Sequence, residues 1–292
     1  MTAQILDGAA LARKHRESIR ARAKAVRDAG GVVRLDAVLV DSGDNGARVY
    51  AENQGKTCRE LGIDYRLHEL PSTSTFDDIA GCVRSLNSAE DVCAIMLHMP
   101  LPAEVEAYRV QCRISPDKDV EGVNPANIGN VVYGRSSLAP CTGLAVVKML
   151  EHTHQELRGK CCVVVGASDV VGKPIAVLLM RTDATVISCN KWTYGMPELT
   201  RRADVLVAAA GVPGLITADM VKDGATVVDV GVNRVHGADG KTKTVGDVDF
   251  EAVKEKASWI SPVPGGVGPM TVAMLLMNVI EAAERRAQGR KA

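Results

Sequence analysis

The sequence predicts an α/β protein of two domains, each built on a parallel sheet with helical crossovers. Apolar runs of strand length alternate along the chain with segments whose apolar residues recur at helical spacing, which is typical of βαβ units. The chain has 292 residues, 46% of them hydrophobic, enough to fill the cores of about two domains. A β-branched run followed by a glycine turn at residues 163–174 adds the pattern of a nucleotide-binding strand and helix.

Charge and cysteine usage argue against several classes of function. Thirty-five basic and 35 acidic residues give a net charge of zero, so we expect neither nucleic acid nor a membrane surface as a partner. The first residues lack the features of a signal peptide, and no uninterrupted apolar run reaches the roughly eighteen residues of a spanning helix, so the prediction is a cytoplasmic protein. The 8 cysteines are scattered without a C-x-x-C motif, which indicates reduced, buried thiols. His152 and His154 have no further ligand at suitable spacing, so no metal site is expected.

The first half of the chain is predicted to begin with an amphipathic helix at residues 11–29, ended by Gly30 and Gly31. Strands and helices then alternate, with strands at 32–40, 65–70 and 94–97 and helices at 50–61 and 76–86. Because ligands bind at the carboxyl ends of parallel strands, residues 41–50 and 98–102 are expected at the mouth of one site. The long polar loop at residues 114–125 is also expected to be functional, since loops of that length in compact proteins often are.

The second half of the chain is predicted to form a nucleotide-binding βα array. A helix at 142–152, capped by Thr142, precedes the β-branched strand. Three more buried strands are predicted at 185–188, 205–209 and 226–230. Each is followed by a loop that contains glycine or asparagine, at 189–191, 210–213 and 231–233.

The glycine turn after Val165 has the spacing G-x-S-x-x-x-G and opens a helix from about Val171. Backbone N–H groups at a helix start are unpaired and carry the positive end of the helix dipole, so this turn suits a pyrophosphate. Its spacing departs from the dinucleotide fingerprint G-x-G-x-x-G, and a plain βα turn without a ligand is the alternative.

Residues 261–271 are rich in glycine and proline and lie just before a last helix predicted at 271–287. Such a segment is expected to be neither helix nor central strand, with a backbone shaped for close approach to a ligand. A rigid turn that only leads into the last helix is the alternative.

Taken together, these motifs resemble the bifunctional methylenetetrahydrofolate dehydrogenase/methenyltetrahydrofolate cyclohydrolase family (FolD type). The resemblance covers nearly the whole chain in order, and its most specific part is the segment 262–271. The other matching stretches are Tyr50 with Lys56 and Cys58, residues 99–102, residues 118–122, residues 140–142 and the glycine turn.

The resemblance implies an N-terminal folate domain at residues 1–139, completed by the C-terminal helix at 271–292, and a Rossmann-like cofactor domain at 140–270. It also implies a cleft between the domains, a homodimer, tetrahydrofolate as the one-carbon carrier, and NADP or NAD as cofactor. The implied catalytic residues are Tyr50, Gln54, His98 and Glu121. The implied substrate-binding residues are Tyr50, Pro100, Leu101, Asp119, Glu121, Pro264, Gly265 and Gly266. The implied cofactor-binding residues are Thr142, Gly166, Ala167, Ser168, Val171, Gly172, Asn190, Lys191, Ala210, Gly211, Gly231, Val232, Gly268 and Thr271.

The chain departs from the family pattern at positions that matter for catalysis. Gln54 stands where the family has its catalytic lysine, and His98 stands where it has a glutamine. Glu121 replaces the aspartate that holds the pterin, and Ala47 replaces a serine just before the tyrosine. Hydride transfer from the methylene bridge moves no proton, whereas hydrolysis of the methenyl cation needs a group that takes and returns one. Glutamine has no such proton, so the sequence predicts a dehydrogenase with weak or absent cyclohydrolase activity.

Two other functions remain open at this stage. His98 could replace the lost base, because an imidazole titrates near neutral pH, and the enzyme would then be fully bifunctional. A histidine that only forms a hydrogen bond with Gln54 or Tyr50 is the alternative for that side chain. A folate-binding paralogue without turnover is the third hypothesis, and the retained Tyr50, Asp119 and glycine turn argue against it.

The cofactor loops depart from the family pattern as well. Ala167 removes an arginine that would clamp a phosphate, and Asn190-Lys191 replaces a histidine and a serine. Lys191 brings a cation to a loop where it could meet a 2′-phosphate, which favours NADP over NAD. A surface lysine with no ligand is the alternative.

Overall fold

A computed structural model describes residues 2–41, 43, 45–135, 138–236 and 242–289. Within these residues the strands are β1 (Gln4–Ile5), β2 (Arg34–Val40), β3 (Asp64–Leu70), β4 (Ala94–Leu97), β5 (Cys161–Val165), β6 (Thr185–Cys189), β7 (Val205–Ala208), β8 (Thr226–Asp229), β9 (Asn233–His236), β10 (Thr242–Val245) and β11 (Trp259–Ile260). The helices are α1 (Gly8–Asp28), α2 (Asn45–Leu61), α3 (Phe76–Ser88), α4 (Ala107–Gln111), α5 (Pro125–Val132), α6 (Cys141–His152), α7 (Gly172–Met180), α8 (Met196–Thr200), α9 (Phe250–Lys254) and α10 (Val267–Gly289), with a 3-10 turn at Ala218–Met220.

The chain divides into two compact units. One, here called the large-sheet unit, comprises Met1–Arg13 and Thr142–Met274, and the other, the small-sheet unit, comprises Lys14–Cys141 and Leu275–Ala292. The predicted boundary at residues 139 and 140 lies two residues from this division. The first thirteen residues differ from the prediction, because β1 pairs with β11 in the large sheet.

The small-sheet unit is built on three parallel strands in the order β3-β2-β4. The central strand β2 is buried at every position, as expected for a parallel strand covered on both faces. Its core includes Val38, Ile79, Ile95 and Leu97. Helix α3 begins with a capping box in which the Thr75 side chain accepts from the backbone of Asp78, whose carboxylate accepts from the Thr75 N–H. The carboxyl ends of β2 and β4 therefore lie side by side.

The large-sheet unit is built on six parallel strands in the order β1-β11-β8-β7-β5-β6. Strand β5 pairs with both β6 and β7, so its carboxyl end lies between the ends of two neighbours. The apolar positions of β5, β7 and β8 form the core of this unit. This order places the predicted glycine turn between the ends of β6 and β7, at the carboxyl edge where parallel sheets bind ligands.

The three long helices α1, α2 and α10 begin earlier than the sequence predicts. Helix α10 starts at Val267, so the expectation that residues 261–271 are not helical is wrong for their last part. Pro269 is tolerated because it lies in the first turn, where a backbone N–H has no intrahelical partner to lose. Helix α10 is long and apolar enough to cross a membrane by length and composition alone, and 61% of that stretch is buried inside the fold. Burial of this kind is typical of a core helix.

Helix α6 also begins earlier than predicted, at Cys141. Thr142 therefore lies inside the helix, and the prediction that it caps this helix is wrong. The helices α4 and α5 were not predicted. Both are short, and α5 begins with the Asn124 side chain accepting from Ala126 N, followed by Pro125.

Candidate active site

Five polar side chains come together around the carboxyl end of β4. Helix α2 contributes Tyr50 and Gln54, β3 contributes Tyr65, and His98 follows β4 directly. Glu121 joins them from the loop after α4, where its carboxylate accepts from the backbone N–H of β4. We call this set the Tyr50 cluster. It contains four of the predicted catalytic residues.

The Gln54 side chain is buried, with 4% of its surface exposed. Its amide Nε2 points at the Met96 sulfur at 3.1 Å, and its Oε1 is buried without a hydrogen-bond partner. A buried amide oxygen without a donor is unusual, because such a group loses its hydrogen bonds to water without replacement. Gln54 therefore presents an acceptor and no ionisable proton.

The His98 imidazole is buried with 2% exposure, and burial lowers its pKa to about 4. Its Nε2 lies 3.4 Å from the Tyr65 hydroxyl, and the Tyr50 ring meets it edge-on with centroids 5.8 Å apart. The hydrogen-bond partner is thus Tyr65 rather than Gln54 or Tyr50. At neutral pH the imidazole is uncharged.

Glu121 is partly exposed, and its Oε2 accepts from Leu97 N at 3.3 Å. Desolvation raises its pKa to about 7, the Leu97 hydrogen bond opposes that rise, and the charge of Asp119 adds to it. Burial, followed by the nearby Glu121 and Cys141, also raises the pKa of the Tyr50 phenol. Within the part of the chain that the structure describes, no cation acts on the Glu121 carboxylate.

Asp119 is almost completely buried, and its own loop occupies its carboxylate. Oδ1 accepts from Gly122 N at 3.1 Å, and Oδ2 accepts from Asn124 N at 2.7 Å and Asn127 Nδ2 at 3.0 Å. Lys118 is also buried, and its ammonium donates to three carbonyl oxygens at the end of α3. The two residues before Val120 therefore shape the loop that presents Glu121.

Asn278 of α10 fixes the other side of this loop. Its Nδ2 donates to the carbonyl oxygens of Val120 and Ala139, both at 2.9 Å. The Cys141 thiol donates to the same Val120 carbonyl at 3.1 Å, and burial raises its pKa well above the ordinary value. Pro100 is exposed and Leu101 half-buried directly after His98. The predicted residues Tyr50, Pro100, Leu101 and Glu121 are thus accessible at one end of the sheet, and Asp119 is not.

The glycine turn in the large-sheet unit runs from Gly166 to Gly172, where α7 begins. A Cβ on Gly166 would lie 2.0 Å from the Ala209 oxygen, and one on Gly172 would lie 1.9 Å from the Gly166 oxygen. Both positions therefore require glycine. The Ser168 hydroxyl accepts from Gly172 N at 3.3 Å, so it closes the turn, with Ala167 and Val171 half-exposed beside it.

Two buried aspartates hold the neighbouring strand-end loops. Asp247 accepts from Ala210 N at 2.6 Å and Gly211 N at 2.8 Å with one oxygen, and from Asn233 Nδ2 at 2.8 Å with the other. Asp229 at the end of β8 accepts from the backbone N–H groups of Gly231, Asp247 and Val248. Burial raises the pKa of Asp229 to about 6, against the effect of these three hydrogen bonds. The two carboxylates connect the loops after β7 and β8.

The loop after β6 exposes Lys191 and Trp192. Thr193 and Asn190 form a tight turn, in which Asn190 N donates to the Thr193 hydroxyl and Trp192 N to Asn190 Oδ1, both at 2.9 Å. The Lys191 ammonium lies 5.0 Å from the centre of the Trp192 ring, and the indole is 76% exposed. This loop presents a cation and a flat apolar face together.

A cavity of about 250 Å³ lies at the start of α10 in the large-sheet unit. Its wall includes Gly231, Val232, residues 262–269 and Thr244. Gly8 packs against this segment so closely that a Cβ on it would lie 1.8 Å from the Gly266 oxygen. The predicted residues Pro264, Gly265, Gly266 and Gly268 thus share one wall, whereas Thr142 and Thr271 lie inside helices and are half-buried.

Comparison with known proteins decides the family. The family model described as "Tetrahydrofolate dehydrogenase/cyclohydrolase, catalytic domain" matches residues 6–121, and the one described as "Tetrahydrofolate dehydrogenase/cyclohydrolase, NAD(P)-binding domain" matches residues 140–287. The chain belongs to the tetrahydrofolate dehydrogenase/cyclohydrolase family. The predicted fold class, an α/β chain with a catalytic domain and a Rossmann-like NAD(P)-binding domain, is confirmed.

Relatives in this family match the chain over almost its full length. The "Bifunctional protein FolD" of Nitrosospira multiformis is 46% identical over 286 residues, which are 98% of this chain and 97% of that protein. The FolD methylenetetrahydrofolate dehydrogenase/cyclohydrolase of Campylobacter jejuni superposes with a TM-score of 0.93 at 38% identity and covers 97% of this chain and 99% of its own. The FolD structure from Trypanosoma brucei, described as complexed with NADP cofactor and inhibitor, gives 0.90 at 32% identity and covers 98% of each chain.

Sequence reasoning missed Tyr65, Asn278, Asp229 and Asp247. Each belongs to the surroundings of a predicted residue within this family fold, and each acts through a contact distant in sequence. Asp229 carried one usable signal, since it ends a buried strand where sheets of this kind bind ligands. Tyr65 and Asn278 lie in a predicted strand and a predicted helix whose patterns do not single out these side chains, and Asp247 lies in a segment without a predicted element.

We expect Asp247→Asn to weaken binding of NAD and NADP equally, raising KM for each about 10–100-fold, as loss of a buried, multiply bonded carboxylate costs roughly 1–3 kcal/mol. An amide cannot accept from Ala210, Gly211 and Asn233 together, so the loops after β7 and β8 would separate. The measurement is cofactor KM beside thermal unfolding. The control is Asp219→Asn, an exposed carboxylate that accepts from the Thr217 hydroxyl. A change confined to one cofactor would contradict this role.

Proposed function

We propose that this chain oxidises 5,10-methylenetetrahydrofolate to 5,10-methenyltetrahydrofolate with NADP or NAD, and that it also hydrolyses the methenyl product, more slowly than it forms it. Membership of the family makes the chain an NAD(P)-dependent methylenetetrahydrofolate dehydrogenase. Relatives at 42–46% identity carry the name bifunctional, which favours a retained cyclohydrolase over a dehydrogenase without hydrolysis. It also argues against a paralogue without turnover.

Hydride transfer requires the Tyr50 cluster to bind and orient the folate, but it does not require acid–base chemistry from these side chains. The hydride leaves the methylene carbon between N5 and N10, and both nitrogens stabilise the resulting cation, so no side chain has to move a proton. The protein contributes binding, alignment of the two rings and exclusion of water. Tyr50, Pro100, Leu101 and Glu121 are accessible for the folate. The glycine turn, the loops held by Asp229 and Asp247, and the cavity at the start of α10 supply surfaces for the cofactor.

Gln54 is the observation that supports slow hydrolysis. The side chain is buried, its amide faces the Met96 sulfur, and no ammonium stands at this position. We propose that Gln54 takes the place of the family's catalytic lysine, as the motif alignment implies, together with His98 for glutamine and Glu121 for aspartate. General acid–base catalysis contributes about 10²–10⁴ in rate, so its loss would fall on hydrolysis and spare hydride transfer.

His98 is a poor substitute for the missing lysine. Burial lowers its pKa to about 4, so its conjugate acid exists only well below neutral pH. Its Nε2 also faces the Tyr65 hydroxyl. We propose that His98 and Tyr65 form a buried pair that shapes the floor of the folate site, with Asp119 acting through the loop it holds.

For the cofactor we propose NADP over NAD. Lys191 is exposed at the carboxyl end of β6, next to the glycine turn in the sheet order, and the Trp192 ring lies beneath its ammonium. A 2′-phosphate would accept a charge-assisted hydrogen bond there, and the indole face offers a surface for stacking the adenine. We further propose, as the family resemblance implies, that the protein is a cytoplasmic homodimer.

Separate assays of purified protein test the two halves of this proposal. Reduction of NAD and NADP with methylenetetrahydrofolate measures hydride transfer, and decay of added methenyltetrahydrofolate above the buffer rate measures hydrolysis. We expect both, with methenyltetrahydrofolate accumulating while the cofactor is reduced. Absence of cofactor reduction in folded protein contradicts the first half, and hydrolysis as fast as hydride transfer contradicts the second.

Gln54→Lys is expected to raise the hydrolysis rate at least about 10-fold, because it supplies an amine whose pKa a buried environment lowers. Hydride transfer should change less than about threefold. The matched control is Asn53→Lys, which adds the same side chain at the adjacent, exposed position of α2. An equal rise in both variants would show that added charge, and not an amine at position 54, is responsible.

Lys191→Ala is expected to weaken NADP binding by about 1–3 kcal/mol, the range of a charge-assisted hydrogen bond, and to leave NAD binding unchanged. Titration calorimetry with each cofactor measures both. Lys24→Ala, a surface lysine on α1 paired with Asp28, is the control. Equal losses for NADP and NAD would refute the assignment to the 2′-phosphate.

A further inference from the structure

Four carboxylates lie in buried or densely packed surroundings at the strand ends, and only one of them has an oxygen that accepts no hydrogen bond from the described groups. Asp119, Asp229 and Asp247 each accept three hydrogen bonds from protein N–H groups, and each is buried. Glu121 accepts one, from Leu97 N to Oε2, and remains partly exposed. None of the groups that the structure describes donates to its Oε1.

The surroundings of Glu121 hold neighbours that disfavour its charge. Helix α2 contributes the Tyr50 phenol, its own loop contributes Asp119, and the start of α6 contributes the Cys141 thiol. Each of these groups is neutral or negative, and no lysine, arginine or histidine among the described residues forms an ion pair with the Glu121 carboxylate. His98, the nearest imidazole along the chain, is uncharged at neutral pH.

The backbone fixes where this carboxylate stands. Asn278 and the Cys141 thiol both donate to the Val120 carbonyl, Cys141 N donates to the Glu121 carbonyl at 3.4 Å, and a Cβ on Gly122 would lie 2.3 Å from the Ala139 carbonyl carbon. Proton exchange with a bound substrate requires a carboxylate oxygen without a protein hydrogen bond on a fixed main chain, and Glu121, whose side chain is partly exposed, meets both conditions.

On the basis of the proposed hydrolase activity, we propose that Glu121 is the proton carrier of methenyl hydrolysis in this chain. Its carboxylate takes a proton from water as the water oxygen forms a bond to the methenyl carbon, giving a neutral carbinolamine. The C–N5 bond then breaks with its electron pair going to N5, and N5 receives the proton from the Glu121 carboxylic acid. The carbinol oxygen becomes the formyl carbonyl and releases its proton to water, so one proton leaves for each cation hydrolysed.

Protonation sets the direction of the pH dependence. The carboxylate is the active form for the first step, and the pKa of Glu121 is raised to about 7, so hydrolysis rises as pH increases through this value. A carboxylate that only holds the pterin would not give a pH-dependent rise (here called the limb of the pH profile) in hydrolysis alone. The measurement is kcat and kcat/KM for methenyltetrahydrofolate hydrolysis from pH 5.5 to 8.5 by roughly half-unit steps, corrected for the buffer rate, since kcat/KM reports groups of the free enzyme.

Wild type is expected to show a limb near pH 7, and Glu121→Gln to lose it with kcat for hydrolysis reduced about 10²-fold or more. Its kcat for hydride transfer at saturating folate should fall less than about 10-fold, which also shows that the variant folds. Glu121→Asp should keep the limb, because it restores a carboxylate, and His98→Gln should keep it because the imidazole is not the carrier.

Two results would overturn the assignment while leaving the hydrolase activity standing. The first is a Glu121→Gln variant whose hydrolysis still rises with pH near 7. The second is a Glu121→Gln variant in which kcat falls by the same factor for hydrolysis and for hydride transfer, as expected for a residue that only holds the pterin. Wild-type protein that hydrolyses methenyltetrahydrofolate no faster than buffer contradicts the proposed hydrolase activity, and the role of Glu121 with it. A limb lost in His98→Gln and kept in Glu121→Gln would move the role to the histidine.

Discussion

The properties of the Tyr50 cluster depend on one constraint: its polar side chains are withdrawn from water, and none of the described positively charged side chains is paired with them. Gln54 and His98 are almost completely buried, and Glu121 lies in packed surroundings with a single N–H donor. A lysine at position 54 would supply a positive charge here and hold a nearby carboxylate ionised. Glutamine supplies none, so in the proposed function the site that binds the methenyl cation carries no positive charge at this position. We therefore propose that a glutamine at position 54 removes an amine and also leaves Glu121 without a charge that would keep it ionised.

The carboxylates at the strand ends have two different roles. In the large-sheet unit, Asp229 and Asp247 accept from N–H groups of the loops after β7 and β8 and of the segment after β10, and these bonds hold the three segments together. Asp119 does the same for the loop that presents Glu121. Glu121 differs because its hydrogen-bonding capacity is mostly unused. In the proposed function, hydride transfer needs only the fixed loops, whereas hydrolysis needs a group that can change its protonation.

Local sequence patterns were sufficient for the sheets and for part of the site. The buried strand at Ala94–Leu97 and the glycine turn at Gly166 follow from short-range periodicity and backbone sterics, and both occur as predicted. The start of α10 at Val267 was missed because a proline-rich segment can still form a first helical turn. Tyr65 and Asp247 were missed because each acts through partners far away in sequence. The one donor to Glu121, Leu97 N, is also distant in sequence, whereas the carboxylate of Asp119 is occupied by Asn124 and Asn127 of its own loop.

We propose that Glu121 can exchange a proton near neutral pH because the Tyr50 cluster around it is uncharged. Titration of the Glu121 carboxyl group tests this proposal most directly. Carbon-13 NMR of protein labelled at the glutamate δ-carbons, with Glu121→Gln to assign the resonance, gives the pKa of this carboxyl in the free enzyme. The structure predicts a midpoint near 7. A midpoint below about 5, the range of an ordinary glutamate, would contradict the account, because Glu121 would then be a permanently charged pterin ligand at neutral pH.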